Sequence, residues 1–200
     1  MRKICVLTCV LVSAVMLAGL VAIPAVAAQD DDPGHQMKWL AVARPQGNLA
    51  SGGRNPRTRV EIVVERWSTE EERLKYVGLL AEQGYQEVVA AFHKAEPVGR
   101  VRVGSGASYP LSFASMREED GKHLVTLATD RPIGGFEGMH QNVTMRFAFV
   151  IVQLTLGDDN KGDGAFTPAA EIKADTSTMT VTFEGYDTKP YRLFDIRPEK

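Results

Sequence analysis

Past its ninth residue the chain contains no cysteine: Cys5 and Cys9 are the only two in 200 residues. A domain built from the remainder has no disulfide, no thiol nucleophile and no thiolate metal site, and must hold itself together through its core. Charge of one sign is also scarce. There are 23 Lys and Arg against 25 Asp and Glu, a net charge of −2, with no basic stripe. A nucleic-acid partner is therefore not expected. After residue 23 no apolar run reaches a bilayer-spanning length without charge, so no membrane association is expected once the N-terminus is removed. G-x-S-x-G, S-x-x-K, H-E-x-x-H, a cofactor loop and internal repeats are all missing.

What is present begins with the three parts of a secretory signal peptide. Arg2 and Lys3 are basic, Ile4 to Ile23 is apolar and uncharged, and Pro24-Ala25-Val26-Ala27-Ala28-Gln29 supplies small residues for a peptidase. Cleavage is expected just before Ala28 or Gln29. That gives a signal peptide over 1–28 and an exported protein of the periplasm or the medium. Without Arg2 and Lys3 the balance is 21 basic against 25 acidic residues, net −4.

Residues 29–59 read as a flexible linker, rich in Pro, Gly and Asn. Within it, Met37 to Ala43 is apolar enough to dock or to form a short strand. A single globular domain is expected over 60–200. Val60, Ile62 and Val64 alternate as in a strand. Ser68-Thr69-Glu70-Glu71 reads as a capping box that starts a helix running to about Glu82, with Leu74, Val77, Leu80 and Ala81 on its apolar face. Gly84 breaks it. A second helix follows, with Tyr85, Val88, Val89 and Phe92 in one stripe, and stops before Pro97.

From Pro97 onward the pattern is strand. Val98–Val103, Leu111–Arg117 and His123–Thr129 come first, the last two joined by Asp120-Gly121 as a hairpin turn. Thr144–Leu156 is the longest run, and its apolar set changes parity. Phe147, Phe149 and Ile151 hold one face, and Val150, Val152, Leu154 and Leu156 the other. Burial on both faces, or a bulge, explains this. At about 3.3 Å per residue such a strand is too long to stay flat. Gly157–Gly164 reads as a turn, followed by strands at Phe166–Ala174, Thr178–Phe183 and Tyr191–Arg197. The expected class is α+β. It has an antiparallel, strongly curved or barrel-like sheet of about seven to eight strands, with an N-terminal helical pair inserted after the first strand. The sheet either curls around the helices or closes with them as a plug.

Four strings occur together: Arg66-Trp67-Ser68-Thr69, Pro97-Val98-Gly99, Ala128-Thr129-Asp130-Arg131-Pro132-Ile133, and Gly162-Asp163-Gly164 ahead of Pro168-Ala169-Ala170-Glu171-Ile172. Together they resemble a group of uncharacterised exported bacterial proteins with no known activity, over roughly Glu61 to Arg197. The resemblance implies a bacterial source and one domain. It implies no mechanism and no functional residues.

Candidate chemistry is thin. Asp158-Asp159-Asn160-Lys161-Gly162-Asp163-Gly164 has the carboxylates and glycines of a calcium loop. However, Lys161 falls where an oxygen is needed, Ala170 falls where a bidentate glutamate belongs, and Glu171 is one residue late. A solvated hairpin fits better. Among the histidines, His35 lies in the linker, His93 ends a helix, His123 starts a strand and His140 lies in a loop. Ser105, His140 and Asp130 could be imagined as a triad, without support from spacing. Ser108, Ser112 and Ser115 read as loop and surface serines. Asp130 and Arg131 read as a pair pinning a loop, or as an exposed Arg131 for an anionic ligand. Asn142-Val143-Thr144 matches a glycosylation sequon, coincidental in a bacterium.

No catalytic, cofactor-binding or metal-binding residue is assigned, and no cofactor is expected. The expected function is non-enzymatic binding of a protein partner or small ligand in the envelope or medium. The alternatives are a hydrolase of envelope or extracellular substrates and a carrier of an apolar ligand within the curved sheet.

Overall fold

The computed structural model describes residues 36–45, 57–131, 147–177, 180–186 and 190–199, all within one unit of the chain, residues 31–200. It is α+β. Ten strands are present among the described residues: β1 (Met37–Pro45), β2 (Thr58–Val64), β3 (Gly99–Val103), β4 (Ser108–Leu111), β5 (Phe113–Glu119), β6 (Lys122–Thr129), β7 (Phe149–Leu156), β8 (Gly162–Asp175), β9 (Thr180–Tyr186) and β10 (Tyr191–Pro198). Helices α1 (Glu70–Glu82) and α2 (Tyr85–Lys94) follow β2. The strands form one antiparallel sheet in the order β4-β3-β2-β1-β10-β8-β7-β6-β5, with β9 paired to β8.

Two expectations are corrected. The described residues hold ten strands, more than seven or eight, and the helical pair follows the second of them. The place of the helices follows from β1, and the extra strands are β1 and β4, the latter (Ser108–Leu111) separate from β5. The segment Met37–Pro45 lies inside the expected linker yet is a nine-residue strand hydrogen-bonded to β2 on one side and β10 on the other, with Trp39 only 1% exposed. The domain therefore includes Met37 and does not begin at Val60.

The ladder is not closed, because β4 and β5 do not pair with each other. They are nonetheless successive halves of one chain segment, separated by Ser112. The Ser112 N–H donates to the Ala128 carbonyl at 2.9 Å, and Val98 N–H donates to Leu111 at 2.8 Å, so the two edges of the sheet meet at this residue. Asp120 and Gly121 both have positive φ (52° and 69°), as the tight turn joining β5 to β6 requires.

Side-chain alternation splits the apolar residues into two cores. The inner core takes Trp39, Val60, Ile62, Val101, Leu127, Leu154, Phe166, Tyr191 and Leu193, among others, from every part of the sheet. The second core lies on the opposite, outer face of β5–β8, under the helices. It contains Tyr76, Leu80, Val88, Phe92, Phe149 and Ile151. The helices are thus neither enclosed nor a plug. Where they do not reach, over β1–β3, the outer face carries ion pairs: Arg102 with Glu61 (2.6 Å), Lys38 with Glu199 (2.6 Å) and Arg100 with Glu65.

Strand β7 belongs to both cores. Val150, Val152, Leu154 and Leu156 face inward, while Phe149 and Ile151 face the helices, with a register shift against β8 between those two. Both readings of its changing parity therefore hold. The strand is shorter than Thr144–Leu156; Phe147 and Ala148 precede it, and residues 144–146 lie outside the described residues. The tight β7–β8 approach is made by glycine. A Cβ at Gly162 or Gly164 would overlap the carbonyl oxygens of Thr155 and Gln153. The expected turn over Gly157–Gly164 therefore ends earlier, with Gly162 already in β8.

The helices start where glycine and capping residues place them. Gly84 (φ 89°) separates α1 from α2. Thr69 caps α1 and Glu72 completes the capping box, one residue later than the sequence suggests. Ser68 is occupied elsewhere: its hydroxyl accepts from Ala114 N–H at 3.0 Å, and its N–H donates to Ala114 at 2.8 Å. Helix α1 buries Tyr76, Val77 and Leu80, while Leu74, expected on the apolar face, is 38% exposed. Helix α2 buries Val88 and Phe92. Phe92 meets Phe149 edge-on at 4.9 Å and Tyr76 at 4.6 Å. The Tyr85 hydroxyl accepts from the N–H groups of Ala148 (2.6 Å) and Phe149 (3.2 Å), tying the start of α2 to the start of β7.

A helix of ten residues does not persist alone in water, so α2 depends on this contact. Truncating Phe92 to Ala removes the ring at its centre and should cost about 3–5 kcal/mol. Ala90→Ser, on the exposed side of the same helix, should cost well under about 1 kcal/mol. Urea midpoints of the two variants decide it. A near-neutral Phe92→Ala would mean that the helices do not need the second core.

Candidate functional site

The helical layer is narrower than the strands beneath it, and the difference leaves a groove. Its volume is about 450 Å³, and α1, α2, the outer face of β5–β8 and the strand β9 border it. The register of the sheet orders its base into rows. Phe113, Ala128 and Ile151 are cross-strand neighbours and make an apolar row. Two residues along each strand, Ser115, Thr126 and Gln153 make a polar row. Two residues further on β5 stands Arg117. All seven line the groove. The polarity of the base therefore changes along the strand direction, from aromatic and aliphatic to hydroxyl and amide to guanidinium.

The helical wall is apolar at Val77, Leu80, Val88 and Phe92 and carries polar groups at Arg73 and Tyr76. Burial, with the nearby Glu72 charge, pushes the Tyr76 phenol above its usual value against the opposing effect of Arg66, so it remains a neutral donor around pH 7. Among the described residues lining the groove the charged side chains are Arg73 and Arg117, and none is a carboxylate. Arg73 is held by Glu70 through two contacts, 2.7 and 2.5 Å. Among the described residues Arg117 has one contact, with Glu119 at 3.1 Å, and its side chain is 70% exposed. On the far side of Leu80 and Ile172 lies a second recess of about 360 Å³, next to Tyr85 and Phe147.

Of the candidate site residues singled out in the sequence that are among the described residues, Ser115 alone lines this groove. Asp159 holds the Lys161 ammonium at 2.8 Å and its backbone N–H at 3.1 Å, and Gly157 N–H donates to Lys161, so the stretch is a hairpin loop. Asp163 has moved into β8, 3.3 Å from Arg192. Asp130 is buried, its side chain 4% exposed, and its close partner is His93, whose Nδ1 lies 3.0 Å from the carboxylate. Arg131 is 3.9 Å away. The expected Asp–Arg pin is therefore chiefly an Asp–His clamp between the end of α2 and the end of β6. Ser105 is exposed in the turn after β3, and Ser112 donates to the Phe92 carbonyl at 3.2 Å. Among the described residues no hydroxyl is hydrogen-bonded to His93. His35, His140 and Asn142-Val143-Thr144 lie outside the described residues.

The groove escapes a linear reading because each strand gives it only one to three residues. The available signal was the succession Phe113, Ser115, Arg117 at every second position, a strand face graded from apolar to charged. Comparison with protein-family models, with curated proteins and with solved structures finds no match to this chain.

One network sets the position of the helical wall. Arg66, just after β2, grips Glu72 with two nitrogens, each at 2.9 Å, while Glu72 also accepts from Thr69 N–H at 2.9 Å. The Arg66 hydrogen bonds hold the Glu72 carboxyl below the usual 4.5, against partial burial and with help from Thr69. Its folded pKa is thus below its unfolded one. The stability it contributes is complete above the unfolded value and is lost as pH falls through the folded one. Glu72→Gln keeps an acceptor for the cap but removes the charge. It should lower the urea midpoint at about pH 7, and the deficit should close as the pH drops below about 4.5. An unchanged deficit near pH 3 would show that the charge is not what Glu72 supplies.

Proposed function

We propose that this protein is an exported, non-enzymatic binding domain that takes a small molecule with an apolar body into the groove beside α1. The observation carrying this reading is the groove itself. It has about 450 Å³ of space, an apolar base and a small number of converging polar side chains, which is the usual build of a ligand pocket. Its hydroxyls favour binding over chemistry, since Ser115 and Thr126 have no histidine or carboxylate partner among the described residues. A ligand on the inner face of the sheet is disfavoured by the side chains packed there. Trp39, Phe166 and Tyr191 are each 2% exposed or less. In this reading the strongly curved, barrel-like sheet is the rigid support, and the ligand sits outside it, between sheet and helices.

Thr126 stands in the middle of the polar row, outside both cores. The wild type should bind the neutral fluorophore N-phenyl-1-naphthylamine saturably, with a blue-shifted emission. Thr126→Trp should abolish that binding while leaving stability within about 1 kcal/mol. Equal binding by both proteins would place the ligand elsewhere.

Export rests on the N-terminal pattern alone: two basic residues, an uncharged apolar run and an Ala-x-Ala site. The intact mass of the protein recovered from the periplasm or medium should correspond to a chain starting at Ala28 or Gln29. A mass that retains Met1 to Val26 would make the segment an anchor.

A further inference from the structure

We propose that the ligand is a single-chain amphiphile with an anionic head, carboxylate or sulfate in type, and that Arg117 receives the head. This rests on the reading that the groove beside α1 is a ligand site.

Three observations carry it. The first is charge. The charged groups lining the groove among the described residues are two guanidinium groups, and the carboxylates that pair with them, Glu70 and Glu119, are not part of its lining. A cationic head would meet like charge, and a wholly apolar molecule would leave the row Ser115–Thr126–Gln153 desolvated against hydrocarbon. The second is order. Phe113, Ser115 and Arg117 succeed one another on one face of β5, so an extended molecule lying along the strand meets aromatic surface, then hydroxyls, then a cation. This is the polarity sequence of a fatty acid or an alkyl sulfate. The third distinguishes the two arginines. Arg73 is committed to Glu70 on its own helix through two short contacts. Among the described residues Arg117 makes one contact, to an exposed glutamate two residues along its strand, and exposed pairs of this kind contribute little in water. Its planar fork can turn to a carboxylate or sulfate with two parallel hydrogen bonds. The tail would lie over Phe113, Ala128 and Ile151 against Leu80 and Val77.

The test uses three probes with the same ten-carbon chain: decanoate, decanol and decyltrimethylammonium. Each is kept below its micelle concentration and displaces N-phenyl-1-naphthylamine from the full exported protein. Decanoate should compete at least tenfold better than decyltrimethylammonium, and its advantage should shrink with added salt. Arg117→Gln changes an exposed side chain and leaves the cores intact. It should remove most of decanoate's advantage over decanol and leave decanol unchanged. Arg73→Gln should do so to a much smaller extent. If decanoate is no better than decanol, or Arg117→Gln does not weaken it, the anionic head is wrong while the apolar groove stands. If Arg73→Gln has the larger effect, the assignment to Arg117 is overturned. If the fluorophore binds but none of the three displaces it, the amphiphile is wrong while the groove stands; if the fluorophore itself does not bind, the groove is not a ligand site and both readings fail. Phosphatidylglycerol vesicles should not retain the protein. Retention there in place of decanoate binding would overturn the free amphiphile.

Discussion

Strand β7 places Val150, Val152, Leu154 and Leu156 in the inner core and Phe149 and Ile151 under the helices, so it needs protein on each side. That requirement organises the rest. The sheet curves so that one face encloses the inner core. On the outer face the second core forms on the strands near β7, and the helical pair lies there. Over β1–β3 the outward side chains include Glu61, Arg102, Lys38 and Arg100, which form ion pairs at the surface, among Leu40, Val42 and the buried Val63.

The groove is a by-product of the same arrangement. Helices α1 and α2 are anchored at three places: Arg66 and Glu72 at the start of α1, Tyr85 at the start of β7, and His93 with Asp130 at the end of α2. These anchors fix the helices over the second core, with the row Phe113–Ala128–Ile151 at the edge of the groove and the row Ser115–Thr126–Gln153 outside both cores. Held from three sides, the walls are preformed, so a ligand there would spend little on ordering them.

Much of this was legible in the sequence. From Phe149 to Leu156 the two parities correctly divide the side chains between the cores, and the helix end at Glu82, the break at Gly84 and the stop before Pro97 follow from breakers and periodicity. What was not legible depended on contacts distant in the chain. Ser68 and Thr69 are both competent caps followed by three glutamates, and Ala114, 46 residues away, decides between them. Strand β1 was legible only as an apolar stretch within the linker able to dock or form a short strand, because its inward set is Trp39, Ala41 and Ala43, two of them too small to signal a core position, between stretches dense in glycine and proline. Gly162 and Gly164 suggested a turn because glycine often makes one; here they serve the close approach of β7 to β8. The candidate site was the least legible part. Its rows run across strands, and its clamp joins His93 to a carboxylate 37 residues on.

The position of β1 between β2 and β10 also bears on when the domain can form during its making. A chain that emerges N-terminus first offers β1 only one of its two neighbours until Tyr191–Pro198 has been synthesised. Trp39, fully enclosed in the finished sheet, stays without Leu193 and Ile196 beside it throughout that interval. The closing step joins residues about 150 positions apart, a contact of the slow, non-local kind. Nascent chain therefore remains open for as long as the ribosome holds its last strand. This is the state that a translocation channel accepting only unfolded polypeptide would need.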